Sequence, residues 1–104
     1  MILTIIESPW RGDVAKHRAY LLRAIKDSLL RGEAPFASHL MYPDVLREED
    51  MGESARGILT GFAWYKVVER CAVYEDYGIS SGMELGINEA LRRNVDISFR
   101  RLYW

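Results

Sequence analysis

The chain has 104 residues, 49% of them hydrophobic and 28% charged, which fits one small folded domain spanning 1–104. A formal net charge of −1 argues against a binder of nucleic-acid backbones, which carries a basic excess. Two histidines and one cysteine make a zinc site improbable, so neither a metal nor a cofactor is expected.

The N-terminal MILTIIES has no positively charged leader and no long apolar core, and no apolar run approaches the ~20 residues a membrane span needs. A cytoplasmic protein is expected. Residues 2–7, ILTIIE, are β-branched and apolar almost throughout, which predicts a strand buried on both faces, as in a parallel sheet. SPWRGD then reads as a loop, and Asp13 as the N-cap of a helix over about 14–31, where Val14, Leu21, Leu22, Ile25 and Leu29 recur at helical spacing. Gly32 suits the position just past its end.

APFA at 34–37 predicts a short second strand. The mixed, polar SHLMYPDVLREEDMGE reads as an irregular excursion, because Pro43 breaks any long helix. Helical spacing returns over 54–70, with Gly57 and Gly61 allowing close packing against a neighbour. CAVYE at 71–75 is the third strand, and Cys71 within it a buried reduced thiol. EDYGISSGM forms a loop, a third helix runs from about 82 to 93, and DISFRRL at 96–102 is the last strand. Tyr103 and Trp104 end the chain as a docking contact between subunits or as a disordered tail. The β-α-β-α-β-α-β order predicts an α/β protein, a small Rossmann-like three-layer fold with a four-stranded mainly parallel sheet.

Open parallel sheets bind ligands beyond the carboxyl ends of their strands, where the strand order reverses. SPWRGD and EDYGISSGM both leave strand ends and enter helices, whose N-terminal N–H groups suit an anion such as phosphate. Ser8, Ser80 and Ser81 add hydroxyl donors, and Arg11 adds a guanidinium fork. Trp10 offers a face for a base, and Asp76 a carboxylate for sugar hydroxyls. His39, just after the second strand, belongs to the same end, whereas His17 reads as a helix-surface residue. Each has a plainer alternative: a serine capping the third helix, Gly78 and Gly82 making turns, Arg11 pairing with Asp13, Trp10 packing, and Asp76 bonding its own loop.

SPWRGD after a first strand, with GISSGM after RCAVYED and opening a helix, resembles the nucleoside 2-deoxyribosyltransferase-like superfamily, in particular its small phage-type branch. The resemblance covers nearly the whole chain. It implies a Rossmann-like sheet, dimers or larger homo-oligomers, and a pocket for a nucleotide or nucleoside-type small molecule, without nucleic acid or membrane partners. Ser8, Pro9, Trp10, Arg11, Gly12, Asp13, His39, Asp76, Gly78, Ser80, Ser81, Gly82 and Met83 are the implied ligand-binding residues. In the transferases a glutamate four residues after the loop glycine attacks the sugar's anomeric carbon. Here that position is Gly86, with Ala90 at the alanine that follows, and Ala72 stands where relatives often carry aspartate.

Two positions of offset place Glu84 nearly on the opposite helix face, where it meets the helix dipole; Glu89 shares the side of Gly86 one turn deeper. The resulting expectation is a non-catalytic binder of a nucleotide-derived molecule. In a phage, and so in the host cytoplasm, it would sequester an ADP-ribose-type or cyclic-nucleotide immune signal. The alternative is a nucleoside or nucleotide N-glycosidase or 2-deoxyribosyltransferase using Glu84 or Asp76 as nucleophile or general base.

Overall fold

The computed structural model describes residues 1–47 and 49–103. Its strands are β1 (Ile2–Glu7), β2 (Glu33–Phe36), β3 (Arg70–Tyr74) and β4 (Asp96–Arg100), and its helices are α1 (Val14–Leu30), α2 (Met51–Ala63) and α3 (Ser81–Arg92). The four strands pair in the order β2-β1-β3-β4, all parallel. The expected small Rossmann-like α/β architecture is therefore present. Among the described residues no helix is long and apolar enough to cross a membrane.

Alternation along the strands builds the layers. Ile6, Ala72 and Tyr74 point to one face and bury Tyr20, Leu21 and Ala24 of α1. Ile5, Cys71 and Val73 point to the other and bury Met83 and Ala90 of α3, together with Tyr65. Each helix is capped by the residue before it. Asp13, Asp50 and Ser80 accept the N–H of Lys16, Glu53 and Met83, satisfying one exposed donor per helix. Gly32, at φ +83°, ends α1 in the left-handed conformation that favours glycine.

The structure shortens two sequence-predicted elements. The helix expected over 54–70 starts earlier, at Met51, and stops at Ala63, giving way to a 3-10 turn at Trp64–Lys66. That turn carries Tyr65 into the core, 2% exposed, where a continued helix would hold it on α2. The last strand stops at Arg100, and Leu102 instead donates its N–H to the Asp76 carboxylate. The excursion packs against α2 where the paired glycines permit it: Gly57 faces Leu46 and Gly61 faces Ser38.

Candidate functional site

Because β2 lies on one side of β1 and β3 on the other, the strand order reverses between β1 and β3. Glu7 pairs with Val73, so the turns leaving these two strands emerge side by side. They open into a cleft of about 910 Å³, within the usual size of a small-molecule site. Its floor is Glu7 to Arg11, and one wall is the excursion with His39, Tyr42 and Leu46. α2 supplies Glu53, Ser54, Gly57, Ile58 and Phe62, and the opposite wall runs from Tyr77 to Met83 with Leu85 and Gly86.

Of the sequence-predicted residues, Ser8, Pro9, Trp10, Arg11, His39, Gly78, Ser80, Ser81, Gly82 and Met83 line this cleft together. Four do not. Gly12 and Asp13 lie at the start of α1, where Asp13 is spent on the helix cap. Asp76 holds the C-terminal segment through Leu102, while its own N–H donates to the Tyr20 hydroxyl at 3.0 Å. Glu84 is exposed on the far side of α3. Neither Asp76 nor Glu84 is placed to act on a molecule in the cleft.

Several cleft groups have local partners that narrow their roles. Ser80 caps α3, and its N–H reaches the Met83 sulfur at 3.4 Å. Ser81 and Gly82 occupy the first turn, ahead of the first intrahelical bond, so their exposed N–H groups face outward with the positive end of the dipole. Gly78, at φ +83°, closes the turn by donating its N–H to the Glu75 carbonyl. Arg11 reaches Ser54 at 3.5 Å, linking the first turn to α2. The Trp10 ring stacks on His39, with centroids 5.1 Å apart and planes 5° off parallel, so one of its faces is taken by protein. Burial holds the His39 imidazole neutral by pushing its pKa down to about 4.

Ser8 is 1% exposed, and its hydroxyl has no hydrogen-bond partner among the described residues. Orphaned buried hydroxyls are costly and uncommon, and at a cleft floor such a group is a waiting contact. His17, read from the sequence as a surface residue, also lines the cleft, with Nδ1 2.9 Å from the Trp10 carbonyl.

The largest departure from expectation is Glu7. Period two puts it on the same face as Ile5, towards α3. Its Oε2 accepts the Tyr65 hydroxyl at 2.6 Å, and Tyr65 lies 3.5 Å from the Cys71 sulfur. A Cβ built on Gly86 would overlap the Glu7 carboxylate, so the room left by the missing side chain is filled by the carboxylate from β1. Burial raises the Glu7 pKa from 4.5 to about 7, against the opposing hydrogen bond from Tyr65. The space beside Gly86 is therefore occupied by a carboxylate brought from β1.

A family model described as Domain of unknown function (DUF7768) matches residues 2–100. The chain belongs to this family. No curated protein matches it. The matched span takes in every strand and helix, and so the whole cleft of this DUF7768 chain. Among its described residues no cluster of three His, Cys, Asp or Glu side chains could hold a metal ion.

Proposed function

We propose that this DUF7768 chain binds a phosphorylated nucleotide-type small molecule in the cleft between the β1–α1 and β3–α3 turns. The observation that carries this reading is the meeting, in one cleft of about 910 Å³, of the α3 N-terminus with the buried, unpartnered Ser8 hydroxyl. The first supplies N–H donors and a positive dipole end for phosphate, and the second a donor for a further oxygen. Arg11, from the other turn, extends the anion-binding side, and the resemblance to nucleoside 2-deoxyribosyltransferases favours a base and sugar for the rest of the ligand. Ser80, Ser81 and the Gly82 amide take the phosphate, and the open side of Trp10 takes the base. Asp76, engaged with Leu102, has no part in holding the ribose.

Thermal-shift and calorimetric titration against nucleoside monophosphates, cyclic nucleotides and ADP-ribose test this reading. A ligand at a hundred times its Kd stabilises the fold by about 2.7 kcal/mol. Ser8→Ala, which removes the hydroxyl and adds nothing, is expected to weaken binding at least tenfold while leaving the free protein folded. No stabilisation by any of these compounds overturns the proposal.

A further inference from the structure

Glu7 and the turn into α3 make opposite demands of the cleft. The N–H groups of Ser81 and Gly82 and the buried Ser8 hydroxyl suit an anion. The Glu7 carboxylate, on the same floor, repels one whenever it is ionised. We propose that Glu7 binds the anion as the neutral acid, donating its proton to an anion oxygen, so that each anion enters together with one proton from solvent. The proposal rests on the ligand reading above and adds the charge state that the site selects.

The geometry supporting it has three parts. The Glu7 carboxyl fills the room beside Gly86, where a Cβ would overlap it. Gly86 lies four residues beyond Gly82 on α3, one helical turn or about 6 Å along the axis, so the carboxyl sits one turn from the N–H donors. Tyr65 donates to Oε2 at 2.6 Å, and Oε1 has no hydrogen bond among the described residues. With Oε2 engaged by a donor, a proton on the carboxyl goes to Oε1, and that O–H is a donor still to be used. Among the described residues no cation pairs with Glu7, as an ionised carboxylate in this place would require.

Desolvation at the cleft floor raises the Glu7 pKa to about 7, so the proton is available at neutral pH. An anion one turn away raises it further, and by reciprocity protonation of Glu7 tightens the anion. The groups around Glu7 do not supply this proton. Tyr65 and, behind it, Cys71 are pushed above their ordinary range by burial. On α3, Glu89 is one turn past Gly86 and is paired with Arg92 and Arg93. On the α2 side Glu53 is paired with Arg47, and burial keeps His39 neutral at pH 6–8. Arg11, His17 and Glu49 complete the charged and titratable lining of the cleft.

The probes are sulfate, 3′,5′-cyclic nucleotides and ADP-ribose, whose charges are constant between pH 6 and 8. Phosphate monoesters are avoided because their second pKa is about 6. Titration calorimetry of the full chain in buffers of different ionisation enthalpy counts the protons. Wild type is expected to take up about half a proton per anion at pH 7 and nearly one at pH 8. Its Kd is expected to rise about tenfold from pH 6 to pH 8, as the protonated fraction of Glu7 falls. Glu7→Gln keeps an N–H donor and cannot ionise. It is expected to bind without proton uptake and to exceed wild type in affinity by about tenfold at pH 8. Proton release, or binding independent of pH in wild type, overturns this inference and leaves the ligand reading standing. A pH profile that persists in Glu7→Gln assigns the proton to another group, His17 among them, and does the same. Absence of binding by every probe at pH 6 overturns both.

Discussion

Two glutamates on one sheet, Glu7 and Glu33, meet burial in opposite ways. Glu33, at the start of β2, is fully buried, and donors surround it: Arg100 at two nitrogens, Arg70 at 2.8 Å and Ser28 at 2.7 Å. The Arg100 hydrogen bonds lead in holding its pKa down to about 2. Among the described residues Glu7, at the end of β1, has Tyr65 alone, and burial drives its pKa up to about 7. A carboxylate that ties strands together is saturated with partners, whereas one beside a cleft is left hungry for them. The difference separates a residue that stabilises the fold from one that the fold must accommodate.

Removing the partners of Glu33 should have the largest effect. Arg100→Met keeps much of the apolar stem but strands a buried carboxylate, and is expected to cost about 3–5 kcal/mol in urea denaturation at pH 7. The loss shrinks on acidification. Glu33 has a folded pKa below its unfolded value, so its stabilisation is present above pH 4.5 and is lost as pH falls towards 2. A cost under 1 kcal/mol would mean that Glu33 is not held as described and would erase the contrast with Glu7.

Glu7→Gln should act in the other direction. The folded pKa of Glu7 is raised, so the native state prefers the protonated form, and stability falls as pH rises from 4.5 through 7. An amide never bears the charge. The variant is therefore expected to be more stable than wild type by about 3 kcal/mol at pH 8, with the two curves converging near pH 4. A neutral substitution that stabilises the fold is the behaviour of a site residue, since functional sites hold groups at the expense of stability. Equal or lower stability at pH 8 would place Glu7 with Glu33 as a structural carboxylate.

The two residues also differ in how visible they are from sequence. The strand and helix order, the parallel sheet and the two glycine-containing turns follow from periodicity and from Pro and Gly punctuation, and the turns do share a cleft. Glu7 was hidden by being the last letter of an apolar run: ILTIIE reads as one buried strand, and attention passes to SPWRGD. The available signal was parity, since a charged residue two positions after Ile5 must face the same way as a core residue. Glu33, one residue before APFA, was hidden in the same manner, and its partner Arg100 lies 67 positions away, beyond any local pattern. Asp76 and Glu84 stood out because loops and helix starts favour acidic residues, which is also why neither is in the cleft. The end of α2 escaped because helical spacing continues past Ala63, and only the core position of Tyr65 shows why the chain leaves the helix there.

The smallest expected effect isolates the contact that sets Glu7 apart. Gly86 lies in the interior of α3, where alanine is intrinsically better than glycine by roughly 1 kcal/mol. Its Cβ would nonetheless overlap the Glu7 carboxylate, and overpacking of a filled site costs about 1–3 kcal/mol. In wild type the two terms oppose, and Gly86→Ala is expected to destabilise by about 1 kcal/mol net. In a Glu7→Ala background the overlap is gone and only the helix preference remains, so the same change should stabilise by up to about 1 kcal/mol. The reversal of sign is the measurement, taken as a double-mutant cycle from urea midpoints at pH 5, where Glu7 is protonated and charge does not enter. No comparable glycine faces Glu33, whose space is filled by its own ion-pair partners. Additive effects in the cycle would mean that Glu7 does not occupy the room above Gly86. The carboxylate would then have no fixed place in the cleft.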